Sequence, residues 1–520
     1  MPVDQPSDDR TPDDQAADAS SPQPWYARTP VLLGIGAAVL VAALAFAVIG
    51  GDDDPASKQT AVTTSKGTSG DGSTPGPDQK VALTDVEAFE PEWIFRDPNR
   101  AIGDGSTSVV PATWLLDDRV IVMSADIIRA HSLDRGSVLW ERPLKLDPCA
   151  AVAHLPADSE IIVIGEAERD SLCASLRAIR VDTGETVWTY AKAGGFTSNS
   201  FESVVAAPAG LFVLDNDGVK VLDPETGEEL LVNGKDEIAE RAAGSAADEP
   251  FFAPGRAAMD DKTGVVVVTG AVLKRRSDGP EPTYAVGFDA KSGKVLWTTQ
   301  VSPERVDAVP QNYDPRFLLL GNEGDEVVKL DLKAGKVASR YAVPAQTENG
   351  RPNYEQFTHL GGPWYRTGTV PVEDDLVMVY EHVSADRDGS DDNLVRIDGA
   401  TGKEIWRIGT PEIPEITKGE SASLAITAGP LVDDTHLLAT FWNRRRSWIA
   451  LIDATSGKVV SFLPQPKEIT NSKIQSDPAL HVLQGGRLLM IYNPNGSNSA
   501  DDPTEAGDDQ TALILLRPAT

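Results

Sequence analysis

At 520 residues the chain is long enough for several domains or one large repeat array. Its 79 acidic residues against 47 basic ones give a formal charge of −32, a field that repels nucleic acid and anionic lipid and sets aside a reader of phosphate backbones. Only two cysteines occur, Cys149 and Cys173, in no Cys-x-x-Cys and with no His at zinc spacing, which argues against a zinc site.

Residues 1–29 are rich in Asp, Pro, Ser and Ala and nearly free of aliphatic side chains. Such a segment buries too little apolar surface to offset chain entropy, so a disordered, acidic, cytoplasmic tail is expected. Trp25, Tyr26 and Arg28 then suit a membrane–water interface. Residues 31–49 carry no charged or strongly polar side chain. As a helix this run spans about 28 Å, close to the hydrocarbon thickness of a bilayer.

The 30–50 region is therefore read as one transmembrane helix, an uncleaved signal-anchor. A cleaved signal peptide is the rival, with Ala45-Phe46-Ala47 as its small-x-small site. Arg28 on one side and Lys58 and Lys66 on the other give a weak orientation signal. The acidic flank Asp52–Asp54 and a disulfide favour an extracytoplasmic bulk. There, an even cysteine pair reads as Cys149–Cys173, a bridge worth about 3 kcal/mol for its loop length. Residues 51–89, rich in Gly, Ser, Thr, Asp and Pro, read as a flexible linker.

From residue 90 onward, short β runs alternate with turn residues, and the best helical candidate is 236–246. This predicts an all-β domain over 90–520. One strand–turn–strand unit recurs seven times, with its turn closing on Gly136, Gly184, Gly227, Gly293, Gly335, Gly402 and Gly457. The glycines are 42 to 67 residues apart, the period of a propeller or solenoid. Gly supplies positive φ, the Asp of the unit is expected to bond turn amides, and a Trp four residues after the Gly is expected to wedge between blades. That Trp is Trp140, Trp188, Trp297 or Trp406, with Leu231, Ser339 and Ser461 standing in three copies, where looser packing is expected.

The last segment supplies strands without this unit, while 91–96, with Trp93, looks like an outer strand with no blade before it. Ring closure is therefore expected, the N-terminal strand completing the C-terminal blade. The result is an eight-bladed β-propeller of four-stranded antiparallel blades, without exposed sheet ends.

The Asp-x-x-(Thr/Ser)-Gly-x-x-x-Trp unit resembles the repeat of quinoprotein-like β-propellers. That family includes the pyrroloquinoline quinone (PQQ) dehydrogenases and a bacterial outer-membrane assembly lipoprotein that binds no quinone. The resemblance implies the fold over roughly 90–520 and leaves activity open. A quinone enzyme implies Ca²⁺ ligands, a catalytic Asp and often an adjacent-cysteine disulfide; Cys149 and Cys173 are not adjacent. No residue is assigned a catalytic role.

If each repeat is the turn between the two outer strands of a blade, the long insertions all fall on the opposite face. These are 233–250, 343–362 and 463–476 between blades, and 274–283, 384–393 and 494–510 within them. A loop-rich face on a rigid scaffold is the usual place for binding. Asp386, Asp388 and Asp391 are weak candidates for Ca²⁺ ligands, lacking the closing Glu of an EF-hand. Arg444–Arg446 beside Trp442 and Trp448 form the basic–aromatic cluster, a candidate anion or glycan contact. The six histidines are scattered, and no nucleophile elbow or phosphate loop occurs. The function expected is a non-catalytic binding or scaffold module for a protein or cell-envelope ligand, monomeric and without cofactor. A PQQ-dependent oxidoreductase or a ligand sensor is the alternative.

Overall fold

The computed structural model describes residues 83–96 and 112–519 apart from parts of the connections, the longest omitted stretches being 192–202, 343–368, 410–424, 467–478 and 493–511. The expected transmembrane run 31–49 lies outside the described residues. Among those described, no helix is long and apolar enough to cross a membrane.

Eight four-stranded antiparallel sheets follow one another, in the order the repeat predicts. Named by first and last strand, blade 1 runs from Ala112–Leu115 to Val138–Pro143, blade 2 from Asp147–Ala151 to Thr186–Ala191, and blade 3 from Val204–Ala207 to Glu229–Gly234. Blade 4 runs from Pro250–Asp260 to Val295–Ser302, blade 5 from Ala308–Gln311 to Lys336–Ala342, blade 6 from Thr369–Val372 to Glu404–Ile408, and blade 7 from Ala425–Asp433 to Val459–Pro464. Blade 8 takes three strands from the C-terminal end, starting at Ala479–Val482, and its outer strand Phe89–Arg96 from the N-terminal side. That strand pairs antiparallel with Ala512–Pro518, from Phe89 opposite Pro518 to Arg96 opposite Ala512. The expected closure is present.

The core is a ring of layers between blades. One apolar cluster joins blade 8 to blades 1, 2 and 3, through Leu489, Leu513, Ile121, Ile162 and Val213. Others join blades 3 and 4, 4 and 5, 5 and 6, 6 and 7, and 7 and 8. Middle strands such as Ile161–Ala167 and Gly210–Asp215 read as near-continuous aliphatic runs because both their faces are covered.

Each outer strand carries a β-bulge immediately before its joint residue. The register shifts leave Leu139, Val187, Leu230, Leu296, Ala338, Ile405, Val460 and Glu92 without a partner across the ladder. A bulge puts two residues opposite one and re-aims the side chains that follow. Here it turns the next residue toward the following blade and leaves its own side chain in solvent. That accounts for Leu230 and Leu296 being more than half exposed, at 56% and 51%. It also twists the outer edge away from strand pairing with another chain.

One expectation is corrected at the N-terminal boundary. Leu83 and Val86, assigned to the linker by composition, are buried with Phe89 in the layer between blades 7 and 8. The domain therefore begins at or before residue 83.

Candidate functional site

The joints between blades fix the two faces of the disc. In the joint of blades 8 and 1, Gly136 stands at φ +64° and an added Cβ would lie 2.6 Å from the Trp93 ring. Trp140 lies on Gly184 and Trp188 on Gly227 in the same way. Trp297 lies on Gly335, and Trp406 on Gly457. Each Trp thus packs on the turn of the next blade. Each indole N–H also donates to the carbonyl three residues before that glycine: Leu133, Val181, Pro224, Leu332 and Ala454, at 2.8 to 2.9 Å.

The three copies without Trp are filled by other means. Between blades 3 and 4, Leu231 and Val221 lie against Gly293, and the buried Asn233 side chain donates to the Gly293 carbonyl at 2.9 Å. The Ala209 amide takes the Ala290 carbonyl that an indole would have used. Helix α1, Lys235–Ala243, buries Ile238 and Ala239 in the same layer. Between blades 5 and 6, the Tyr341 ring lies on Gly402 and the Ser339 hydroxyl donates to the Gly399 carbonyl at 3.1 Å. Between blades 7 and 8 the filling is Leu83, Val86 and Phe89.

The turn aspartates behave as expected in five copies. Asp223, Asp289, Asp331, Asp398 and Asp453 accept backbone amides two or three residues on, at 2.7 to 3.1 Å. The Ser292 hydroxyl and amide hold Asp289 below the usual carboxylate range, and Thr401 does the same for Asp398. The Ser456 amide and hydroxyl do so for Asp453. In the first two copies the acid is two residues before the glycine, and Ser132 and Arg180 occupy the position whose carbonyl accepts the glycine amide.

These turns link the third and fourth strands of blades 1 to 7, so the turns between first and second strands lie on the same face. The connections between middle strands and between blades lie on the other. The strand ends that border the six long insertions therefore lie on one face, as the sequence predicts, while most of the inserted residues fall outside the described ones. The chain enters blade 8 at Phe89 and leaves it at Pro518, both on the plain, Gly-turn face.

On the elaborated face, blade 4 stands apart. Its first two strands, Pro250–Asp260 and Val265–Lys274, are 11 and 10 residues long against four for the first strands of blades 1, 3 and 5. Their turn lies on the plain face, so the extra length, Pro250–Pro254 paired with Gly270–Lys274, rises on the elaborated one. Helix α1 braces this ribbon through Ile238 and Ala239 against Phe252 and Val272. The best helical candidate of the sequence, 236–246, overlaps α1, although the region reads as all-β from its pattern.

Blade 2 is fixed on the same face by the Cys149–Cys173 disulfide, with Cα atoms 5.7 Å apart, a normal separation. The bridge ties its first strand to the end of its middle hairpin. Beside it the Glu166 carboxylate lies 2.7 Å from Arg177, both side chains nearly buried. The pair sits diagonally across two strands, Glu166 opposite Ser175 and Arg177 two residues on. The signal in the sequence was a Glu closing an otherwise apolar run. A second polar group missed by sequence lies between blades 2 and 3. Lys220 is buried, 2.6 Å from Glu229, 3.1 Å from the Tyr190 hydroxyl and 3.3 Å from Asp215. Burial works against the ammonium, but the bonds to Glu229 and Tyr190 and the Asp215 charge outweigh it and raise its pKa.

Asp386 and Asp388 lie outside the described residues. Asp391 is placed by its backbone alone, opposite His382 in the middle hairpin of blade 6. Arg444–Arg446 also lie outside them, whereas Trp448 is buried and stacks on Phe462 at 5.7 Å, a core role. Among the described residues no group of three His, Cys, Asp or Glu side chains is placed to hold a metal ion. The disulfide joins residues 24 apart, not the adjacent pair implied for a quinone site.

A family model described as outer membrane protein assembly factor BamB matches residues 173–361 and 216–502 in two overlapping placements. No curated protein sequence matches the chain. Among solved structures, BamB from Moraxella catarrhalis is similar at 13% identity and a TM-score of 0.44, over 83% of this chain and 100% of that one. The quinohemoprotein alcohol dehydrogenase ADHIIG from Pseudomonas putida HK5 is similar at 11% identity and a TM-score of 0.50, over 85% of this chain and 78% of that one. At this identity the likeness to the dehydrogenase concerns the fold alone.

Proposed function

The chain belongs to the PQQ-like propeller family described as outer membrane protein assembly factor BamB, and from that premise we propose that it is a non-catalytic binding scaffold of the cell envelope. The observation that carries this reading is that the strand ends bordering all six long insertions lie on one face of a closed ring. A rigid disc with short, repetitive turns on one side and long connections on the other presents a single adaptable surface. The braced ribbon of blade 4 and the bridged corner of blade 2 give that surface two fixed supports.

The proposal extends to placement. Residues 31–49 anchor the protein in the membrane, and the propeller is extracytoplasmic. The partner it takes is a protein or envelope polymer, and one copy of the ring suffices for binding.

The experiment is a cofactor titration of the full chain with PQQ and Ca²⁺, followed by dye-linked oxidation of alcohols and sugars. The scaffold reading predicts no saturable quinone absorbance and no turnover. Saturable binding with turnover would replace it with the oxidoreductase reading.

A further inference from the structure

We propose that the ring opens at the seam between blades 7 and 8, and that residues 83–96 are the strap that holds it shut. The proposal rests on packing and not on the scaffold reading. Each of the other seven joints has its own lock on the Gly turn of the next blade: a Trp, a Tyr with a Ser, or Leu231 with helix α1 behind it. The seam has Ser461 at the Trp position, and blade 8 has no third-to-fourth-strand turn to receive a ring, because its fourth strand arrives from the other end of the sequence.

The missing turn is replaced by a short 3-10 turn, Leu83–Asp85, and the residues after it. Leu83, Val86 and Phe89 occupy the layer shared with Leu438 of blade 7 and Leu480 and Met490 of blade 8. The Ala519 amide donates to the Ala88 carbonyl at 2.9 Å, and Arg517 holds Glu90 at 2.7 Å. The strap then runs on as the outer strand and sets Trp93 on Gly136 of blade 1. One segment of 14 residues therefore closes both sides of blade 8. Because it lies next to all that precedes residue 83, a pull or a cut there acts first on the seam plug and then on the strand. Local opening in proteins follows such cooperative units, and its free energy is set by the contacts that each unit alone supplies.

Hydrogen–deuterium exchange of the full chain in detergent micelles tests this. In the unsubstituted protein, amides of Phe89–Arg96 and of Ala512–Pro518 are expected to exchange about tenfold faster than those of Gly210–Asp215 in blade 3. In Leu83→Asp/Val86→Asp, exchange in blades 7 and 8 is expected to rise a further tenfold or more, with blades 2 to 4 unchanged. Should the double variant not fold, Val86→Ala is expected to give the same regional pattern with a smaller rise. A uniform rise around the ring, or no rise at blades 7 and 8 in the variant that folds, overturns the proposal.

Discussion

The Trp93 indole rests on Gly136 and donates to the Leu133 carbonyl at 2.9 Å, joining the first strand of the propeller to the first blade that follows the closure. The same relationship recurs between Trp140 and Gly184, Trp188 and Gly227, Trp297 and Gly335, and Trp406 and Gly457. It couples a backbone requirement to a packing one: only Gly adopts the turn at low cost, and only a missing Cβ leaves room for the ring. Gly136→Ala is therefore expected to destabilise the domain by about 2–4 kcal/mol, combining left-handed strain with overpacking. Urea denaturation followed by Trp fluorescence reads the loss. A change below about 0.5 kcal/mol would mean the ring does not occupy that space in solution.

The joint of blades 3 and 4 has no indole, and α1 fills it. Ile238→Ala is expected to cost about 2–4 kcal/mol, the range for a fully buried aliphatic side chain. Glu240→Ala, exposed on the same helix, is expected to change stability by less than about 0.5 kcal/mol. Thermal melts of the two variants check the contrast; equal effects would place α1 outside the core.

Asp289, Asp398 and Asp453 titrate below the usual carboxylate value because turn amides and hydroxyls favour their charged forms. A depressed folded-state pKa contributes stability above the unfolded value, near pH 4, and loses it as pH falls through the folded one. Stability is thus expected to decline from about pH 4 downward. The Asp289→Asn/Asp398→Asn/Asp453→Asn variant keeps an acceptor oxygen in each turn and is expected to decline less. Urea midpoints at pH 5, 4 and 3 measure the slope, and identical slopes for the two proteins contradict this assignment.

Cys149→Ser/Cys173→Ser is expected to lose about 3 kcal/mol, the chain-entropy value for the loop the bridge closes. The loss is expected to be local, so limited proteolysis cuts first in blade 2. First cuts elsewhere would show that the bridge does not hold this corner.

The architecture was legible because the repeat carries its own joint: turn glycine, capping acid and ring recur at the interval of one blade. The surplus strand around Trp93 and the turnless last segment revealed the closure, since each lacked what the other had. Three things were hidden. The filling of the joints at Leu231, Ser339 and Ser461 comes from residues outside the repeat unit, Asn233 with α1, Tyr341, and Leu83 with Val86 and Phe89. Composition assigned Leu83 and Val86 to a Gly/Ser-rich linker because two apolar residues do not register against that background. The Lys220–Asp215–Glu229–Tyr190 group is assembled from two blades, and no spacing within one strand announces it. The two faces of the disc were legible as topology, because strand order alone decides on which side each connection starts and ends.

The central claim, that the elaborated face carries binding, is tested by photo-crosslinking in the native cell envelope. A photoreactive residue at position 353, in the connection between blades 5 and 6, is compared with one at Lys403, on a Gly turn of the plain face. Capture of one discrete partner from position 353 and none from Lys403 is the predicted result. Capture from Lys403 alone would contradict it and move the binding surface to the opposite rim.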